Sequence, residues 1–271
     1  MVAAAVALSA CSSAKVTESV PVLTPAPNLT PAVTTTPVPP AATSPTPIPT
    51  PAPTPAPVES TPAIKWHPTD IGMPLVSDDP AAKGKKVVML TFDDGPSPTG
   101  TTAKILDILK ENNVKAMFFV TGYGAKNRDL LEREFKEGHT IGTHTQTHAY
   151  LPDLTVAQMR AEIEPVIKTV TELTGTRPKY FRPPNGAYNA ALRGLLKEEG
   201  QQLINWSDGS LDWDKLKDGY KDPKLVVDQV MNYIHPGAVV LMHDTHQHTV
   251  EALPELIKQI RAAGYEFVVM Q

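Results

Sequence analysis

From about Lys85 to the end of the chain, short apolar runs alternate with stretches whose apolar residues recur every three or four positions. The first kind suits buried strands and the second suits amphipathic helices. KVVMLTF (86–92), VKAMFFV (114–120), HTIGT (139–143), PKYF (178–181), QQLINW (201–206), GAVVLM (237–242) and YEFVVM (265–270) predict seven strands. Between them, TGTTAKILDILKENN predicts a helix burying Ile105, Leu106 and Leu109, and NRDLLEREFKEG a second one closed by Gly138. Thr155 and Gln158 make a capping box ahead of Met159, Ile163, Ile167 and Val170; Gly175 ends that helix, and Pro165 is expected to bend it. Further helices are expected near 189–199, near 223–234 behind an Asp222 cap, and near 249–263. Seven strands alternating with six helices imply one α/β domain with parallel pairing, and both a barrel and an open doubly wound sheet fit that pattern.

The residues before this region follow a different pattern. Between Pro21 and Pro62 stand 15 prolines interleaved with Thr and Ala, with no charge before Glu59. Such a segment cannot bury enough apolar area to offset its ordering entropy, so residues 12–80 are expected to form a disordered tether of polyproline character. Residues 1–11 are an apolar run of small residues ending at Cys11, the single cysteine of the 271-residue chain. One cysteine excludes an internal disulfide. The order Leu8, Ser9, Ala10, Cys11 resembles a bacterial lipoprotein box, in which the cysteine becomes lipid-modified. The expected product is an exported protein, either anchored through Cys11 at the outer face of the cytoplasmic membrane or secreted to the cell wall. A formal charge of −4 without a basic block argues against nucleic acid as a partner. The folded domain is assigned to residues 81–271 and is expected to act as a monomer.

Polar chemistry gathers at the strand ends, where ligands bind in either α/β architecture. The first strand runs into Asp93 and Asp94, two adjacent carboxylates that need a compensating cation or proton. After the third strand, His144 and His148 stand four apart, a spacing that suits zinc or a similar divalent ion. Alone, an HxxxH pair is a weak signal, and a surface pair is its ordinary meaning. One of the two aspartates would complete a two-histidine, one-carboxylate set, leaving the other to take a proton from a bound water. Arg182, between Phe181 and two prolines, reads either as a solvated guanidinium or as the partner of a carboxylate such as Asp93. His243 ends an apolar strand as a core imidazole or as a general acid oriented by a carboxylate such as Asp212. Trp213 suits core and substrate wall equally. His246 and His248 are expected to face solvent, and His139 to be structural.

TFDDG (91–95), HTQTH (144–148), RPPNG (182–186), LDW (211–213) and LMH (241–243) resemble, in order, the five signature motifs of the polysaccharide deacetylases, the NodB-homology group of carbohydrate esterase family four. The resemblance covers roughly residues 85–271. It implies an irregular, incomplete (β/α) barrel of about seven parallel strands binding one divalent ion, zinc first, with Co, Ni or Mn as alternatives. It also implies Asp93 as base, Asp94, His144 and His148 as metal ligands, and Arg182 as the residue positioning the base. His243 is implied as acid, oriented by Asp212, with Trp213 walling the site. Asn185 stands where many members carry tyrosine; its backbone N–H can still help hold an oxyanion. The implied reaction is removal of N-acetyl groups from a cell-surface polysaccharide, with peptidoglycan N-acetylglucosamine as the first substrate. Chitin oligosaccharides and acetylated xylan are the alternatives within the class, and a catalytically silent wall-binding module is the alternative outside it.

Overall fold

A computed structural model describes residues 64–214 and 222–271; Cys11, the segment 1–11 and the proline-rich stretch lie outside the described residues. Elements follow in chain order. An antiparallel ribbon of β1 (His67–Pro68) and β2 (Leu75–Val76) comes first. Then come β3 (Val87–Asp93), α1 (Thr101–Glu111), β4 (Met117–Val120), α2 (Arg128–Lys136), β5 (Thr140–Thr143), α3 (Val156–Thr174), β6 (Tyr180–Phe181) and α4 (Ala190–Glu198). They are followed by β7 (Gln202–Leu203), β8 (Asp208–Gly209), α5 (Pro223–Tyr233), β9 (Ala238–His243), α6 (Gln247–Ala262) and β10 (Glu266–Phe267).

The main sheet is wholly parallel in its pairings and has eight described strands, seven of them in the order β7-β6-β5-β4-β3-β9-β8 with β10 joined to β3 off that path. It is curled into a half-barrel. That curl makes the incomplete barrel the architecture in place of the doubly wound alternative, and its edges, β7 and β8, do not pair with each other among the described residues, so the barrel is not closed. Two details differ from expectation. The strand predicted last, β10, pairs low on β3 at Val87 and Val88, on the edge that β4 occupies higher up. The sheet edge is instead the two-residue β8, whose Asp-Gly sequence carries no strand signal.

The strand β3 is buried along its whole length because both faces are covered. Val88, Leu90 and Phe92 pack outward with helix residues such as Ile105, Leu253 and Ile257. Met89 belongs to an interior cluster with Met117, Phe119, Ile204, Val239 and Met270. The period of two therefore carries Met89, Thr91 and Asp93 up one inner face, and Val239, Leu241 and His243 up the inner face of β9. The interior is apolar below and polar at its upper mouth. Such a placement explains why an apolar strand ends in an acid.

Helix ends match the sequence signals. Thr155 and Gln158 form the complete capping box of α3, Gly175 closes it in the left-handed region at φ 69°, and α3 continues through Pro165 as one element. Asp222 caps α5 by accepting from the Lys224 N–H. One boundary is corrected: residues 64–80, expected to belong to the tether, carry the ribbon and pack on the barrel. Leu75 is buried and its N–H donates to the Gly237 carbonyl at 2.8 Å, while Trp66 lies against the interior cluster. Apolar residues interspersed with prolines hid this segment from a compositional reading.

Candidate active site

Asp93 is paired in register with His243 of β9 on one side and with Phe119 of β4 on the other. Its carboxylate is buried, and Oδ1 accepts from Arg182 Nη1 at 2.7 Å. Arg182 itself is fully buried: Nη1 also donates to Thr91 Oγ1 at 2.8 Å, Nε donates to the Ile204 carbonyl at 3.2 Å, and the guanidinium stacks 4.1 Å from the Phe119 ring centre. The solvated reading of this arginine is excluded. Burial pushes the Asp93 carboxyl up from its ordinary value, against the opposing pull of Arg182 and His243.

Asp94 turns out of the strand at φ 79°. Its Oδ1 lies 3.7 Å from His144 Nε2 and 3.7 Å from His148 Nε2. His144 Nδ1 is 2.6 Å from the Arg182 carbonyl, which can only accept, so Nδ1 carries the proton. Burial lowers the His144 imidazole to about 3, against the raising effect of Asp94, so the ring is neutral at pH 7. Its Nε2 then presents a lone pair to the carboxylate. Asp94 Oδ1 is buried without a hydrogen-bond partner. Acceptors of Asp94, His144 and His148 lie within 4.8 Å of one another. Facing acceptors repel unless a cation lies among them, so this donor set fits a divalent ion held by two imidazoles and a carboxylate.

The loop geometry is special here. Of the six described non-glycine residues at positive φ, Asp94, Thr145, His148, Asn185 and Leu211 all lie in or beside this pocket, where backbone strain tends to collect. Asn185 adopts φ 57°, a conformation that asparagine tolerates better than most residues do. Gly95 is required by packing: a Cβ there would meet Asp244 Oδ2 at 1.9 Å. Asp244, which the sequence reading missed, is buried behind the loop and accepts from Thr102 Oγ1 at 2.5 Å.

Across the pocket, Asp212 is fully buried and richly supplied with donors. Oδ1 accepts from His243 Nδ1 at 2.7 Å, while Oδ2 accepts from the His243 N–H at 2.8 Å and from Thr249 Oγ1 at 2.7 Å. Burial alone would raise this carboxyl, but the charge and hydrogen bond of His243 win and hold it well below the ordinary range. Burial likewise opposes protonation of His243, and Asp212, with help from Asp93 and Asp94, overrides it to raise the imidazole to about 9. His243 is therefore protonated at neutral pH, and the core-imidazole reading gives way.

Trp213 lines the pocket, edge-on to His243 at 5.3 Å between ring centres and edge-on to Trp206 at 6.5 Å. Trp206 was read only as the end of a strand. The expectation for His246 and His248 is corrected. His248 is buried at the start of α6, with Nε2 2.7 Å from the Asp212 carbonyl; His246 is partly buried, lines the pocket and sits 3.8 Å from Asp212 Oδ2. They belong to the wall because α6 begins at Gln247, two residues earlier than expected, and draws them against Asp212. His139 is structural as expected, with Nδ1 accepting from the Ala116 N–H at 3.1 Å.

A profile of the family described as polysaccharide deacetylase matches residues 81–204. The peptidoglycan-N-acetylmuramic acid deacetylase PdaA of Bacillus subtilis is 36% identical over 185 residues, which are 68% of this chain and 69% of that protein. The chain belongs to the polysaccharide deacetylase family. A second member, the peptidoglycan-N-acetylglucosamine deacetylase PgdA of Listeria monocytogenes, is 37% identical over 205 residues, 75% of this chain and 41% of the relative's own length. Among solved deacetylases, the peptidoglycan deacetylase PdaC from Bacillus subtilis matches with a TM-score of 0.62 at 35% identity, covering 68% of this chain and 88% of that one. The family profile ends before Asp212 and His243, so the pairing of those two residues is read from the geometry.

Proposed function

We propose that this deacetylase hydrolyses N-acetyl groups on a cell-surface polysaccharide, with peptidoglycan N-acetylglucosamine as its substrate. The observation that carries the proposal is the pairing of Asp93 and His243 on adjacent strands beside the Asp94, His144 and His148 acceptors, around one cavity of about 550 Å³. A wall-binding module needs sugar contacts but has no use for a buried base facing a protonated acid.

Asp94, His144 and His148 would hold one divalent ion, zinc first, which when bound supplies Lewis acidity to a carbonyl and lowers the pKa of water. Asp93 takes the proton of the attacking water; burial makes its carboxylate a stronger base, and Arg182 fixes its orientation. The backbone N–H at Asn185, a residue that lines the pocket, would steady the developing oxyanion. His243 then passes its proton to the departing nitrogen, a step an amide requires because an amide anion is a very poor leaving group. Asp212, accepting from Nδ1–H, keeps the imidazole charged so that the proton on Nε2 stays available until the C–N bond breaks. One proton leaves water for Asp93, one leaves His243 for the amine, and the products are acetate and a free glucosamine unit. Trp213 supplies an apolar wall for the acetyl group or sugar ring.

The sequence Leu8-Ser9-Ala10-Cys11 and the proline-rich stretch support an exported monomer tethered by lipid at Cys11, with its catalytic end directed to the wall. The test is acetate release by the full-length chain from peptidoglycan, chitin oligomers and acetylated xylan, before and after chelation, with metal content measured in parallel. Release from peptidoglycan that falls with the metal content is expected. Absence of release from every substrate by the metal-loaded chain would refute the proposal, and release from xylan alone would make the protein an esterase.

A further inference from the structure

The reaction centre accounts for one acetylated sugar, yet the rim beside it carries further exposed aromatics. Tyr123, Tyr150 and Tyr188 are 60%, 49% and 41% exposed. They lie on the loops that follow β4, β5 and β6, three consecutive strands of the sheet, at the same upper mouth as the active site. Each is within three residues of the catalytic surroundings: Tyr150 follows His148 by two positions, Tyr188 follows Asn185 by three, and Tyr123 sits between two glycines packed on the active-site loops. A Cβ at Gly124 would strike the Gly95 carbonyl, and the Gly122 N–H donates to the Thr145 carbonyl at 2.9 Å.

Singly exposed apolar residues are ordinary, but here three stand on the loops of three consecutive strands at one rim. Their backbones are also fixed. Tyr150 precedes the fully buried Leu151, and Tyr188 precedes Asn189, whose side chain caps α4 by accepting from the Leu192 N–H at 2.9 Å. Lys126 holds its ammonium 4.8 Å from the Tyr123 ring centre, while the residue as a whole stays mostly exposed. Side chains on a fixed backbone cost little further backbone ordering on binding, and tyrosine pairs an apolar face with a polar tip, which suits the alternating C–H and hydroxyl surface of a sugar. Adjacent strands are about 4.8 Å apart, so the loops after β4 and β6 are separated by on the order of 10 Å, a span longer than one ring.

We propose that Tyr123, Tyr150 and Tyr188 form a stacking row that holds the glycan chain extending from the reacting sugar toward the β6 side of the barrel. The proposal rests on the polysaccharide reading above. A comparator exists within the chain: Tyr233, 63% exposed, ends α5 just before β9 begins, at the opposite end of the barrel.

The experiment uses the full-length, metal-loaded chain and N-acetylglucosamine oligomers of two to six units, and compares kcat/KM for the longest with that for the shortest; short and long peptidoglycan strands give the same ratio. Replacing all three tyrosines (Tyr123→Ala, Tyr150→Ala, Tyr188→Ala) should lower this ratio about tenfold, and each single change about twofold. Tyr233→Ala should leave it as in the wild type. Thermal unfolding monitors folding, and the single variants cover the case in which the triple one does not fold. A ratio unaltered in the folded variants, or lowered equally by Tyr233→Ala, overturns the row while leaving the deacetylase reading intact. Failure of the wild type on every glycan removes that reading and the row together.

Discussion

The two walls of the pocket hold the same inventory and put it to opposite use. Asp94, His144 and His148 form one carboxylate with two imidazoles, and so do Asp212, His243 and His246; each set has its donor atoms within 4.8 Å. The Asp94 Oδ1 atom is buried without a hydrogen-bond partner, whereas the Asp212 carboxylate accepts from a ring N–H, a backbone N–H and a hydroxyl. A carboxylate already supplied with donors stabilises a charged imidazole beside it; one facing only lone pairs demands a cation. Residue type therefore does not separate a metal wall from a proton wall. The distribution of hydrogen-bond donors does.

The comparison can be broken first at its metal side. Asp94→Ala should abolish tight divalent-ion binding and lower turnover by about a thousandfold or more, read by metal analysis and acetate release. Arg182 couples the walls through Asp93 and the His144 contact, and removing it leaves a buried carboxylate unpaired. Arg182→Ala should cost about 3–5 kcal/mol in denaturant unfolding of the metal-free chain. On the proton side, Asp212→Asn should retain the metal and lose about a hundredfold in activity. It should also move the alkaline limb of the pH profile. A raised histidine is protonated below its folded pKa, so wild-type activity is expected to fall as pH climbs through about 9. Without the Asp212 charge that limb shifts to lower pH, and an unmoved limb would contradict the assigned acid. The same linkage makes the His243 contribution to stability complete below the unfolded histidine value and lost as pH rises through about 9. The smallest effect is expected from Thr249→Val, which removes the hydroxyl that donates to Asp212. It should cost about 1 kcal/mol of stability and shift the alkaline limb only slightly.

The legible part of this protein was the part encoded locally. The period of the strands, the Thr155 capping box and the Asp222 cap each need only a few adjacent residues, and each appears where the pattern put it. Asp93, Asp94, His144, His148, Arg182, Asp212, Trp213 and His243 stand out because unusual chemistry lies at the ends of strands, Asn185 stands out only through the motif resemblance, and the fold brings them together. What escaped was support drawn from distant segments. Thr249 is an ordinary helix residue until it meets Asp212, Thr91 one more strand position until Arg182 reaches it, and Trp206 the end of an apolar run until it faces Trp213. The ribbon at 64–80 escaped because its strands span two residues each, too short for any period to show.

The register of β3 against β9 places Asp93 and His243 opposite each other on one rung of the ladder. Their backbones are thus held about 5 Å apart by the same hydrogen bonds that build the sheet, and no hinge lies between them. The gap between proton taker and proton giver is a fixed gauge: a scissile bond must be brought to it rather than clasped by it. Any widening of diet among related chains then has to come from the loops above, which can be rewritten without disturbing the gauge beneath.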